Sequence, residues 1–267
     1  VNGGNIVLNA DITSSDVISI TTSVVLNGNG HTLTYTGANR AIDVPNTAVD
    51  VNLTIKNLTV NTTASFCERG INYNTNGVLT LEKVAVAGTN INYAINLPGS
   101  SDNATVVITD SNITGNIALN VWGEKVAITA NNSNFTSPYE SEVEVCSVIQ
   151  FNNDGTTAAH GASLTVNGGS IISLAETVAL SVSSYDTAIS ISNETTVQGK
   201  QETSSIAVIY EGQTQFYTSS TLQHAFDLAA NDPRAKVLLL GDVVLDAPVV
   251  VTGTVVLDLN GFELSYT

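Results

Sequence analysis

Glu140, Glu142 and Glu144 alternate with Ser141, Val143 and Val145, so on an extended strand the three carboxylates stand on one face. Hard cations take carboxylate oxygens, which makes this run, with Asp154 in FNNDGTT, a candidate calcium site. A solvated acidic edge accounts for the same spacing without a metal. A second chemistry is aromatic. Tyr73 in GINYN and Tyr93 in NINYA look like matching positions, with Trp122 one coil further on. A strip of such rings on one face would stack on sugars; packing against Ile71, Ile91 and Ile95 is the competing reading. Trp122, beside Gly123, is the ring expected to stay open.

Acid–base chemistry has a weaker basis. Glu82 and Asp110 each follow an apolar anchor, with Lys56 and Lys83 near them. Two carboxylates and a base are what a glycan-cleaving site needs, but mixed surface charge reads the same way. No two Asp residues are adjacent, and the eight Lys and Arg residues are scattered. His31, His160 and His224 are isolated in a corner, a loop and a helix. Cys67 and Cys146 have no zinc-ligand spacing. About three coils separate them, ~14 Å against the ~7 Å a disulfide spans, unless the insertion near 137–146 folds back.

The elements that must position these groups are read from composition and period. Of 267 residues only 12% are charged, with 24 Asp plus Glu against 8 Lys plus Arg, while Asn, Thr and Ser make up 87. A net charge of −16 argues against nucleic acid, anionic membrane and polyanionic glycans, unless calcium mediates. No apolar run approaches the ~18 residues of a membrane span, and the opening VNGGNIVLN is not signal-like. The chain has no Met, so a mature or excised piece of a longer protein is expected. Low charge, abundant Thr and Asn and scarce Cys fit a secreted or cell-surface protein. Eight Asn-x-Ser/Thr sequons occur, about the number this composition yields by chance.

Short alternating runs recur, each entering a turn rich in Asn, Gly or Asp. The apolar anchors before those turns are Leu26, Ile55, Leu81, Ile108, Ile128, Val166 and Ile191. Period-two alternation means strands, and similar strands recurring at coil length point to a parallel β-solenoid, each coil burying the inward face of its neighbours; the competing fold is an antiparallel β-sandwich, whose hairpin turns do not explain that recurrence. Asn57, Asn112, Asn167 and Asn193 are the expected corners, because Asn tolerates left-handed backbone. One continuous spiral is expected.

A shift of 231 residues lays 6–36 on 237–267 without a gap, identical at eleven of 31 positions, including Leu26/Leu257, Asn29/Asn260 and Gly30/Gly261. Ahead of the second copy lies the one helix signal, about 219–231. Ser219 or Ser220 is its N-cap, Leu222, Ala225, Phe226 and Ala229 form its stripe, and Asn231-Asp232-Pro233 ends it. It is expected to cap the open end of a coil. The expected division is a β-helix module over 1–205, then a linker strand, the capping helix and the first coil of a second, truncated module over 206–267.

YTSSTLQHAFDLAAND followed by VLLLGDVVLDAPVVV and TVVLDLNGFEL resembles the opening of right-handed parallel β-helix modules in large secreted bacterial surface proteins. These are broadly similar to the pectate-lyase-like superfamily. The resemblance covers about 217–267 and, more weakly, 1–36. It implies an all-β, right-handed parallel β-helix in an extracellular setting, and it implies little about activity. The function expected is therefore a non-catalytic structural or adhesive module of a tandem array, serving as stalk, fibre or filament. It would need no cofactor, calcium apart. Its partners would be neighbouring modules, copies of itself end to end, carbohydrate or a host glycoprotein. The alternative is a polysaccharide lyase or glycoside hydrolase.

Overall fold

The computed structural model describes residues 3–88, 90–138, 147–152, 159–174, 178–182, 187–202, 206–210, 216–219, 222–230, 232–239 and 241–267. It is all-β with one short helix, Leu222–Ala229. The strands form a sheet of 16, a sheet of eight, and a pair of Val243–Leu245 with Leu264–Tyr266. Among the described residues every strand pairing is parallel except three, which gather around residues 188–239. Parallel neighbours joined in sequence order, coil after coil, are a β-solenoid.

A coil such as Leu53–Thr62 with Cys67–Tyr73 repeats as Val78–Gly88 with Ile91–Leu97. The registers stack inward side chains into columns. One wall carries Leu26, Ile55, Leu81, Ile108, Ala130, Val166 and Ile191. A second carries Leu33, Val60, Val86, Ile113, Phe135 and Ile171. The third is Ile42, Ile71, Ile95, Leu119, Ile149 and Leu180. Almost all are fully buried in one continuous cluster. Six of the seven expected anchors lie in the first column. Ile128 does not: it pairs with Val106 and Leu164 in the neighbouring column, and the small Ala130 holds the anchor position. The residue next to the turn is set by strand register and not by side-chain bulk.

The first two walls belong to the same sheet, bent at a column of left-handed residues. These are Asn57 (φ 50°), Lys83 (φ 54°), Asp110 (φ 50°), Asn132 (φ 48°) and Gly168 (φ 73°). Of the expected corners only Asn57 sits there. Asp110 and Gly168 do the work expected of Asn112 and Asn167. Asn193 is not left-handed either. The left-handed conformation costs an L-residue about 1–2 kcal/mol, less for Asn and Asp, and the stacked sheets impose it at the same point in every coil. Asn112 and Asn167 instead join side-chain ladders on the outer surface, with Asn134 Nδ2 donating to Asn112 Oδ1 at 2.8 Å and Asn167 Nδ2 to Asn131 Oδ1 at 3.0 Å.

Near the carboxyl end the stacking reverses. The expected linker strand is a hairpin, Ile206–Tyr210 with Phe216–Ser219, inserted between Ala188–Ile191 and Ala235–Leu239. Three successive antiparallel pairings leave the strands after 235 running opposite to those before 192. Paired residues share a face of a sheet, so register shows where each core lies. Ile189 closes a column of the first core, through its pairing with Leu164. Its neighbour Ala188 pairs with Tyr217, Tyr217 with Val208, Val208 with Val237, and Val237 with Leu257. Val208 and Val237 are buried in a second cluster that shares no residue with the first. The second core therefore lies on the opposite face of the same sheet. The coil after 235 thus shares a sheet with the coils before 192 and packs its own core on the other face.

The repeated segment is rebuilt in detail. Ile6 pairs with Leu26 as Val237 pairs with Leu257, and Ile12 with Leu33 as Val243 with Leu264. Asp11 Oδ1 accepts from Thr32 N at 2.9 Å, and Asp242 Oδ1 from Glu263 N at 2.8 Å. Asn27 Oδ1 accepts from Asn29 N at 3.0 Å, as Asp258 Oδ1 does from Asn260 N at 2.9 Å. Asn29 and Asn260 share the left-handed conformation, at φ 54° and 49°.

The helix lays Leu222, Ala225, Phe226 and Ala229 into the second core, as its stripe requires. Gln223 fastens it to the following coil, its side-chain amide donating to Val250 O at 2.9 Å and accepting from Val250 N at 2.8 Å. Beyond the helix, Arg234 donates from Nε and Nη2 to the two carboxylate oxygens of Asp232 at 3.0 and 2.6 Å. That fork, with the Arg234 backbone N–H, holds the Asp232 carboxyl down to about 2. A depressed carboxyl contributes stability that is complete above its ordinary value of 3.8 and disappears as the pH falls through 2. The expected result is an Asp232 carboxyl titration, followed by NMR, with its midpoint near pH 2. Arg234→Gln should carry it back toward 3.8; a midpoint already there in the unaltered chain would show that the fork does not form.

Candidate functional site

The left-handed corner opens outward into a hollow of about 350 Å³, whose lining includes Asn57, Lys83, Asp110 and Asn112. Asn57, Lys83 and Asp110 are presented by the same bend in successive coils, and Asn112 lies two residues beyond it. Asp110 is the one carboxylate of the lining, and Lys83 takes the corresponding place one coil earlier. Glu82 is out of line: it pairs with Lys56 on one side and Thr109 on the other. Glu82 and Asp110 thus do not stack, because one precedes the bend and the other is the bend. Glycoside hydrolysis by the usual route needs two carboxylates flanking one bond. The hollow offers an ammonium and a carboxylate with amides around them, an arrangement suited to hydrogen-bonding a polar ligand.

The aromatic candidates separate. The coil offset here is 24 residues, pairing Ile71-Asn72 with Ile95-Asn96, so Tyr73 corresponds to Leu97 and not to Tyr93. Tyr73 is fully buried, its hydroxyl donating to Val51 O at 2.5 Å, and burial pushes its phenol well above the usual range. Tyr93 is half-buried between Arg69 and Ile117 in register. Trp122 follows strand Ile117–Val121, exposed, with its backbone N–H donating to Leu97 O at 2.8 Å. GINYN and NINYA are therefore not matching positions: Ile-Asn-Tyr occurs twice, at 71–73 and 91–93, and the ladder pairs Ile71-Asn72 with Ile95-Asn96.

Glu140, Glu142, Glu144, Cys146 and Asp154 lie outside the described residues. Among the described residues no three His, Cys, Asp or Glu side chains gather as a metal would require. Cys67 is a buried free thiol whose pKa burial raises. His31 Nδ1 lies 3.2 Å from Asp11 Oδ1 on the first corner. Thr32 N and then His31 hold the Asp11 carboxyl below its ordinary value.

No family model, curated protein or solved structure matches the chain.

Two features of the geometry escape the strand-by-strand reading. The first is a column of buried amides along the eight-stranded sheet. Asn152 Nδ2 donates to Asn120 Oδ1 at 2.7 Å, Asn120 to Asn96 at 2.7 Å, Asn96 to Asn72 at 2.8 Å, and Asn72 to Asp43 Oδ1 at 2.7 Å. All the amides point one way and end on a carboxylate, which accepts and cannot donate when ionised. Arg40 Nη1 reaches the same Asp43 oxygen at 3.2 Å. The signal was present as Ile-Asp-Val at 42–44, Ile-Asn-Tyr at 71–73, Ile-Asn-Leu at 95–97 and Leu-Asn-Val at 119–121. The second is an apolar mouth at the amino-terminal coil, a cavity of about 180 Å³ whose lining among the described residues is aliphatic, with Ile6, Leu8, Ile12 and Ile18 part of it.

Proposed function

We propose that this chain is a non-catalytic, extracellular structural module of a tandem β-solenoid array, a stalk or fibre segment of a bacterial surface protein. The observation that carries this reading is the reconstruction of 6–36 by 237–267, strand register, left-handed corner and Asp cap alike. A chain that rebuilds its opening coil beyond a capping helix has the grammar of an array. Stiffness is the physical output. Stacked Val, Ile and Leu columns and the buried amide column resist bending, and a net charge of −16 opposes lateral aggregation. Adhesion, where it occurs, is assigned to the surface around exposed Trp122, with a sugar ring as the natural partner of an indole face.

A polysaccharide lyase or hydrolase is the second reading, and the Lys83–Asp110 hollow is the observation in its favour. A panel of neutral and acidic glycans, assayed for reducing ends and for unsaturated products, separates the two. The structural reading expects silence on the whole panel and rod-like dimensions in small-angle scattering. Turnover that is lost in Asp110→Asn would overturn it.

A further inference from the structure

We propose that the apolar mouth of the first coil is a receptor for a β-hairpin followed by an amphipathic helix, of the kind this chain carries in Ile206–Tyr210, Phe216–Ser219 and Leu222–Ala229, supplied by a neighbouring unit. The inference deepens the array reading and rests on it.

The chain contains the same receptor twice, once covered and once open. In the second unit Val237 and Leu239 are fully buried. Strand Ile206–Tyr210 pairs along them, Val208 with Val237 and Ile206 with Leu239, and Leu222 and Phe226 of the helix close the same cluster. In the first unit the equivalent positions are Ile6 and Leu8, 231 residues earlier, on a strand with the same partner register. There they are only half-buried and line the cavity with Ile12, Ile18, Val24 and Leu26. Strand Gly4–Val7 ends the 16-stranded sheet: among the described residues it pairs with Val24–Asn27 alone. Its other edge and an aliphatic hollow thus stand together. Such an edge templates further strands, and the second unit meets that hazard with a hairpin and a helix. Because the two receptors share register and side-chain class, the occupant that fits one fits the other.

The occupant also fixes how units follow one another. A hairpin that reverses strand direction at each junction puts each new core on the opposite face of the shared sheet, as it does here at Ala188–Leu257. An array built this way alternates sides along a common sheet.

The test splices a second copy of residues 206–234 directly onto Gly4, which preserves the 231-residue register because Ala235 and Gly4 are equivalent. Thr22→Gly accompanies it: at the equivalent Gly253 a Cβ would stand 3.0 Å from Ala230 O, so the helix end needs that space. The expected result is slowing of amide exchange at Asn5–Val7 by roughly tenfold or more, with loss of hydrophobic-dye binding. Phe226→Asp in the added copy alone should reverse both. Unchanged exchange in a spliced chain whose circular dichroism shows the added helix formed would overturn the proposal. So would dimerisation of the unaltered chain that Leu8→Asp abolishes, since the mouth would then be closed by a second copy. Glycan turnover by the unaltered chain would sink the structural function and leave this measurement standing, so the two failures are distinguishable.

Discussion

Asn96→Ala is expected to destabilise the first core by about 3–4 kcal/mol, a large loss for a side chain that touches no ligand. Asn96 donates to Asn72 Oδ1 and accepts from Asn120 Nδ2, and all three are buried. Truncation strands one acceptor and one donor out of reach of water, at about 1–3 kcal/mol each. Chains of aligned amides also polarise one another, so the break weakens the bonds on either side. The matched control is Asn112→Ala, which removes the acceptor of Asn134 Nδ2 on the exposed ladder. Water replaces that partner, and a loss below about 1 kcal/mol is expected. Urea titration of both variants makes the comparison. Equal losses would mean that the buried column contributes no more than surface hydrogen bonds do.

Phe226→Ala is expected to unfold the second unit while the first stays intact. Phe226 is 8% exposed and supplies the largest side chain among the nine described buried residues of the second cluster. Removing a buried aromatic costs about 3–5 kcal/mol, which is all that a core of some 60 residues holds in reserve. The two cores lie on opposite faces, and among the described residues the strand pairing that joins the two units is the antiparallel one at Ala188–Ile189. Hydrogen exchange should lose protection at Val237–Leu239 and keep it at Leu53–Ile55 and Leu79–Leu81. A single transition that moves both regions together would show the cores to be one cooperative unit. This independence is what the proposed array would require, each unit able to open without melting the next.

The positions of the columns were legible to a degree set by local chemistry. Leu26, Ile55, Leu81, Ile108, Val166 and Ile191 announce themselves, because an apolar residue before a polar turn has one face to occupy. Ala130 did not, since Ile128 two residues earlier presents the same parity and more bulk. The corner at Asp110 was missed for a related reason: a left-handed residue is chosen by where two walls meet, and Asp serves there as well as Asn. Tyr73 and Tyr93 were aligned through a motif out of register by four residues, which only the ladder Ile71 to Ile95 reveals.

By itself the order of residues determined the strand periodicity, the helix with its Leu222, Ala225, Phe226 and Ala229 stripe, and the restart at 237. All three follow from side-chain alternation and from likeness at a fixed shift, which act over short stretches of chain. Tertiary structure alone decided that the second core lies across the sheet from the first and that Asp43 and four asparagines form one buried column. The reason is parity and register. A reversed strand direction transfers a core to the other face, and a slip of one residue exchanges inside for outside, so both quantities exist only once distant strands have paired.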